Sequence, residues 1–182
     1  MWYAMINIRI ATTEDRDAIE LLTRLLVSDR NEVFDPKRFE WGLLRRLFDP
    51  LQRHGIFIAE EIEDSGEPIK KTIGMIFSEL RVDPFGYSEG YIKQFYVRPQ
   101  NRNKGIGTKL LHAVINHLKK LDVQIIKVNV KPGAEETFRM YSQLDFQTKY
   151  TCMQLNLKDN NGEKVKDESL NFELDNDTQC NE

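Results

Sequence analysis

Two glycines one residue apart, Gly105 and Gly107, lie in a short basic turn between an apolar strand and a long amphipathic stretch. The run is Tyr91-Ile92-Lys93-Gln94-Phe95-Tyr96-Val97-Arg98-Pro99-Gln100-Asn101-Arg102-Asn103-Lys104-Gly105-Ile106-Gly107-Thr108-Lys109. Beyond it Leu110, Leu111, Val114, Ile115, Leu118 and Leu121 recur at three- and four-residue steps, which predicts a helix with one buried face. The first N–H groups of a helix lack intrahelical acceptors, and its aligned peptide dipoles favour negative charge at that end. Residues without Cβ let a bulky anion come close, and Arg98, Arg102, Lys104 and Lys109 add positive charge around the turn. The chemistry on offer is a phosphate cradle built from backbone.

The spacing excludes two common cradles. A Walker-type loop needs four residues between its glycines and a Lys directly after the second, whereas one residue separates these and Thr108 follows. A dinucleotide fingerprint needs a third glycine, and Leu110 occupies its place.

The elements that must position this turn follow from periodicity. Ile6, Ile8 and Ile10 alternate with polar residues and predict a first strand; Met1–Ala4 reads as a short extension before it, because Met5 would also serve as a start. Thr12-x-x-Asp15 is a loose capping box opening a helix whose expected buried stripe is Ala18, Leu21, Leu22, Leu25 and Leu26. Asp35-Pro36 opens a second helix, faced by Phe39, Leu43, Leu47 and by Trp41, Leu44, Phe48, and Asp49-Pro50 ends it. Strands are expected over 55–62 and 71–82, with a turn at Glu63–Gly66, then over Tyr91–Val97 after Pro84-Phe85-Gly86. Val123–Val130 predicts a further strand, Glu135–Leu144 a short helix, and Phe146–Leu157 a last strand that would hold Cys152.

The pattern Arg102-Asn103-Lys104-Gly105-Ile106-Gly107, after a strand leaving through Val97-x-Pro99, resembles the acyl-CoA-binding motif of the GNAT superfamily of N-acetyltransferases. The element order β-α-α-β-β-β-α-β-α-β is similar to that family over roughly residues 5–157. The resemblance implies an α/β (mixed α+β) fold with a central mixed sheet that splays between the fourth and fifth strands, with acetyl-CoA entering the opening. It further implies backbone contacts to the pantetheine arm and acetyl carbonyl from Phe95, Tyr96 and Val97, and to the pyrophosphate from Arg102, Asn103, Lys104, Gly105, Ile106, Gly107 and Thr108. The family pattern Asn-x-x-Ala-x-x-x-Tyr-x-x-x-Gly-Phe is matched at Tyr141 and Phe146, while Ala134, Thr137 and Asp145 replace its Asn, Ala and Gly.

Acetyl transfer from a thioester to an amine needs a neutral amine, donors for the oxyanion and a proton for the thiolate. A phenol stays protonated at neutral pH, so Tyr141 is the expected acid, and a strand N–H at Tyr96 or Val97 the expected oxyanion donor. Glu89 and Tyr91 lie where some family members carry a carboxylate, and Glu79 is a second candidate base; water is a third. By the same resemblance the acceptor would be read by the 31–35 and 83–89 segments, with Phe34, Tyr87, Glu89 and Tyr91 suited to a cationic amine. The expected function is an acetyl-CoA-dependent N-acetyltransferase acting on a small amine, an aminoglycoside-like compound or a peptide or protein amine. A catalytically silent acyl-CoA-binding regulatory module is the alternative.

Composition narrows the classes. In 182 residues, 40% are hydrophobic and 30% charged, as in soluble globular domains. No apolar run approaches the ~20 residues of a membrane span, and no charged-then-apolar leader is visible, so no membrane partner is expected and the expected location is cytoplasmic. Cys152 and Cys180 form no disulfide framework, and His54, His112 and His117 have no metal-ligand spacing, so no metal is expected. Residues 158–182 hold eight acidic and three basic residues, which leaves about +2 for the rest: no broad basic face for nucleic acid. A homodimer is left open. The expected organisation is one domain over 1–157 and an acidic, polar tail over 158–182, within which Leu170, Phe172 and Leu174 alternate. Deleting 158–182 is expected to leave the melting temperature within about 4 °C of the parent; a larger fall would mean that the Leu170–Leu174 segment packs on the domain.

Overall fold

In β-strands every second residue shares a face, and here both faces are apolar. Ile56 and Ile58 pack on one side of the sheet while Phe57 and Ala59 pack on the other, so the continuous run Ile56–Ala59 marks a strand covered on both faces. The computed structural model describes residues 5–48, 55–63, 69–153 and 155. Its elements are β1 (Met5–Ile10), α1 (Arg16–Asp29), α2 (Pro36–Phe48), β2 (Ile56–Glu63), β3 (Ile69–Val82), β4 (Ser88–Val97), α3 (Ile106–Lys120), β5 (Ile125–Val128) and α4 (Glu135–Ser142). The sheet order is β1-β2-β3-β4-β5, antiparallel except for the parallel β4–β5 pair, as expected of the mixed sheet.

Two apolar layers flank it. Ile19, Leu22, Leu26 and Leu43 of α1 and α2 close on Ile58, Met75, Phe77 and Tyr96. On the other face Ile106, Leu110, Leu111, Val114 and Leu118 of α3, with Tyr141 of α4, close on Phe57, Ile73, Ile76 and Ile92. Each fully buried aliphatic side chain contributes about 2 kcal/mol. No helix of the described residues is long and apolar enough to cross a membrane.

A bulge in β4 decides which side chains face which layer. Gln94 pairs with Phe77 and Ile92 with Ser78, so Lys93 is an extra residue. Ile92 and Phe95 consequently both pack toward α3, and Lys93 reaches the Glu79 carboxylate on the face that α2 covers.

The expectations differ from the structure at several places, among them Leu121, which is exposed just past the end of α3. The buried positions of α1 are Ile19, Leu22, Thr23 and Leu26, a stripe at i, i+3, i+4 and i+7, while Leu21 is exposed. The Val123–Val130 strand is only Ile125–Val128. The expected last strand is absent from 146–153 and 155, whose residues from Gln147 onward are exposed and so have no face to bury. The chain divides at 148/149; in the second unit 149–153 and 155 carry no regular structure, and Cys152 is exposed. The expected turn after Glu63 and the Asp49-Pro50 stop lie outside the described residues.

One polar cluster anchors the start of the fold. Arg9 of β1 grips Asp15 bidentately at 2.7 Å and Glu60 of β2 at 2.7 Å, and Asp15 also accepts the Thr12 N–H at 2.7 Å. Burial would raise the Asp15 carboxyl, but the Arg9 guanidinium and the Thr12 N–H outweigh it and hold it below the usual carboxylate range. Its contribution is therefore complete above about pH 4 and is lost as pH falls on through the folded value. Asp15→Asn should lower stability by roughly 1–3 kcal/mol at pH 7, because the bidentate Arg9–Asp15 pair is lost while Arg9 keeps Glu60. The difference from the parent should shrink below pH 4, which denaturant unfolding at several pH values would show.

Candidate active site

Four residues of β5 face only the first part of β4: Glu89 pairs with Ile125, Gly90 with Ile126, Tyr91 with Lys127 and Ile92 with Val128. Past Ile92 the two strands part. Arg98 donates its N–H to Ile73 O of β3 at 2.9 Å, so alternation turns the Tyr96 N–H toward β3 and those of Phe95 and Val97 toward the side that β5 has left. The Val97 carbonyl accepts the Arg102 Nε–H at 3.0 Å on that open side. A three-residue stretch of sheet edge thus leads directly into the basic turn.

The turn itself is held in special backbone. Pro99–Asn101 forms a 3-10 turn, Asn103 takes φ 60°, and Gly105 takes φ 74° as it caps α3. A side chain on Gly105 would meet nothing within 4 Å, so this glycine serves backbone conformation and leaves open space in front of it. Gly107 serves packing: a Cβ there would stand 3.1 Å from the Phe95 ring and 3.8 Å from Met140 Sδ. The first helical bond is Lys109 N–H to Gly105 O at 3.0 Å, so the N–H groups of Ile106, Gly107 and Thr108 have no intrahelical acceptor. Asn103, Lys104 and Thr108 are exposed beside them. Arg102 lies over the Tyr96 ring at 5.5 Å and pairs with Asp29 of α1 at 3.0 Å.

Tyr141 joins the same neighbourhood. It packs edge-on against Phe146, with centroids 5.2 Å apart, in the apolar cluster that also receives Phe95, Val97 and Val128. Burial alone pushes its phenol far above the ordinary value.

The candidate bases lie elsewhere on the sheet and are engaged. Glu89 is buried, takes the Lys127 ammonium and accepts the Tyr91 hydroxyl at 3.1 Å. The Tyr91 ring has Arg81, Lys93 and Lys127 around it, at 4.5, 5.3 and 5.6 Å. Burial would raise the Glu79 carboxyl, yet hydrogen bonds from Arg46 and Arg81 and the charges of Arg46 and Lys93 hold it low. Tyr87 is exposed in the β3–β4 turn, its N–H bonded to Asp83 at 2.8 Å.

Sequence reasoning missed a cavity of about 250 Å³ between α1, the α1–α2 link, α2 and β4. Phe34 belongs to it, stacked on Phe39 at 5.3 Å with Arg24 over its ring at 4.1 Å. Arg46 Nε and Gln94 Oε1, on two lining residues, are buried with no hydrogen-bond partner, and each such group costs roughly 1–3 kcal/mol. Gln94 lies on the face of Tyr96, two residues on, while the bulge at Lys93 sets it off from Ile92.

Comparison with known proteins agrees with the geometry. The family model described as "Acetyltransferase (GNAT) family" matches residues 16–146. The N-acetyltransferase 9-like protein of Schizosaccharomyces pombe is 31% identical over 100 residues, 51% of this chain and 44% of that one, so the match spans less than half of that relative. The solved structure of AAC(6')-Iy with the bisubstrate analogue CoA-S-monomethyl-acetylneamine superposes with TM-score 0.67 at 13% identity, over 84% of this chain and 97% of that one. The ribosomal-protein-alanine N-acetyltransferase of Brucella melitensis biovar Abortus 2308 does so with TM-score 0.60 at 16% identity, over 84% and 99%. At such identities the two structures show the shared fold.

Proposed function

Because the chain belongs to the acetyltransferase (GNAT) family, we propose that it transfers an acetyl group from acetyl-CoA to a primary amine by direct attack within a ternary complex. The carrying observation is the edge of β4 left unpaired beyond Ile92, which runs into three unpartnered N–H groups at the start of α3. A pantetheine arm carries amides that suit such an edge, and a pyrophosphate suits such a helix end. The open space in front of Gly105 fits that group, and the related fold of AAC(6')-Iy was solved with a CoA-containing analogue.

Acetyl-CoA supplies an activated thioester; the residues of this chain do the rest. Phe95 and Val97 hold the arm through the open side of β4. Of the two candidate oxyanion donors, ladder alternation favours Val97, because the Tyr96 N–H faces β3. Ile106, Gly107 and Thr108 donate to the pyrophosphate, with Arg102 and Lys104 adding charge. As the nitrogen–carbon bond forms and the carbon–sulfur bond breaks, Tyr141 gives its proton to the departing sulfur and is reprotonated from solvent. The burial that raises the phenol also makes a thiolate beside it more basic, so the transfer stays matched. Glu79 and Glu89 are tied in ion pairs, so the proton leaving the amine passes to water. The 1–157 segment would form the catalytic domain and 158–182 its appended tail.

Gly105 gives a test free of packing damage, since Asn and Asp both tolerate a positive φ and the space there is empty. Gly105→Asp should bind CoA at least about tenfold more weakly than Gly105→Asn by calorimetry, because only the former adds a repelling charge. Equal affinities would remove the pyrophosphate from this turn. Tyr141→Phe keeps the ring and should lose roughly 10²–10⁴ in turnover, followed by free thiol with a reactive amine, at nearly unchanged CoA affinity. Turnover within about threefold of the parent, with chemistry rate-limiting, would return Tyr141 to packing alone.

A further inference from the structure

A charged cluster lies across β3, β4 and β5. Glu79 pairs with Tyr91 and Arg81 with Glu89 on the β3–β4 ladder, and Tyr91 pairs with Lys127 on the β4–β5 ladder, so all five share one face of the sheet. Phe77, two residues before Glu79, places it on the face that α1 and α2 cover, and Arg46 of α2 reaches Glu79 there. Four cations serve two carboxylates: Arg46, Arg81 and Lys93 meet Glu79, and Lys127 meets Glu89. The two carboxylate side chains lie beneath, 14% and 11% exposed, while the four cations are 30–49% exposed. The surface offered outward is therefore positive. Arg81, Lys93 and Lys127 stand 4.5, 5.3 and 5.6 Å from the centre of the Tyr91 ring. Three like charges around one ring repel one another, and an added anion relieves that repulsion. Lys93 meets Glu79 at 3.7 Å, beyond hydrogen-bonding distance, so its ammonium donors can turn to a ligand oxygen. Lys93 is also the bulge residue, the first of β4 past its pairing with β5. Two residues, roughly 7 Å of strand, separate it from Phe95, which is assigned to the acetyl-bearing arm.

We infer that, on the acetyltransferase reading above, the acceptor is an amine that also carries an anionic group, a carboxylate or a phosphate, held by Arg81, Lys93 and Lys127 beside Tyr91. The anion rests on the cluster, and the amine reaches a few bonds along β4 to the opening. A polycation meets an excess of like charge there, which reverses the expectation that Glu89 and Tyr91 suit a cationic amine. Arg81, Lys93 and Lys127 are specificity-determining residues and take no part in proton transfer.

The test compares kcat/KM, by free-thiol release, within matched pairs. Ala-Glu-Ala-amide against Ala-Gln-Ala-amide tests a carboxylate, phosphoethanolamine against ethanolamine tests a phosphate, and spermidine is the cationic arm. In at least one pair the anionic member should exceed its neutral partner by at least about tenfold, and the pair that shows it names the anion. That ratio should fall as salt rises. Lys93→Gln should cut it by about three- to tenfold and Lys93→Arg should keep it, with CoA affinity by calorimetry the same in both. Ratios near one in both pairs, spermidine as the best acceptor, or an undiminished ratio in a Lys93→Gln variant that binds CoA would overturn this inference and leave acetyl transfer standing. No thiol release with any amine, despite CoA binding, would overturn both and point to the silent binding module.

Discussion

A strand cannot leave its neighbour without exposing peptide groups that need partners, and β4 does this halfway along its length. Its first half is paired on both sides; its second half keeps β3 and loses β5 after Ile92 and Val128. A buried, unpartnered N–H or C=O is costly, so such an edge is stable only when water, a side chain or a ligand meets it. Here the Arg102 side chain already meets the Val97 carbonyl. The same residue lies over Tyr96 and pairs with Asp29, so the arginine that opens the glycine motif also braces the edge leading to it.

The second dependence is a single extra residue. In a regular strand Lys93 and Gln94 would face opposite sides, and Ile92 and Phe95 would too. The bulge lets Ile92 and Phe95 share the α3 layer, while Lys93 and Gln94 share the other. Phe95 then meets Gly107, where any Cβ would press on its ring. Gln94 meets the cavity that Phe34 and Arg46 complete. The bulge thus aims one strand at two sites, the helix start on one face and the cavity on the other.

These two features explain what could be read from the chain and what could not. The turn was legible because Gly105, Gly107 and the following 3.6-residue period are local signals. The strands β1 to β4 were legible because their apolar alternation or continuity reports which faces are covered. The phase of α1 was misread, since the adjacent apolar pairs Leu21-Leu22 and Leu25-Leu26 fit more than one stripe and the buried one includes the polar Thr23. The last strand misled because Tyr150, Met153 and Leu155 are apolar but exposed, and propensity alone cannot bury a residue. For Gly107 the reading expected close approach of an anion, whereas the nearest atom to its missing side chain belongs to Phe95. The cavity was invisible, because its lining comes from separate elements, α1, the α1–α2 link, α2, β3 and β4.

What stabilises the region where β4 and β5 part can be decided by magnitude. Two ion pairs stand near the opening: Arg102 with Asp29 of α1, and Lys131, just past β5, with Glu32 of the α1–α2 link at 2.6 Å. All four side chains are well exposed, and such pairs are worth about 0–1 kcal/mol each, less in salt. Phe95 and Val97 from β4, Val128 and Val130 from and after β5, and Tyr141 with Phe146 meet in one apolar cluster. Six partly or fully buried side chains, at about 1–2 kcal/mol each, outweigh both ion pairs. The apolar layer on the α3 face therefore stabilises this region more than the two ion pairs at its rim do. Tyr141 is the buried residue that α4 contributes to that layer. On this geometry the side chain proposed as proton donor is also a core residue: its ring packs in that layer and on Phe146, and its hydroxyl alone would serve the chemistry.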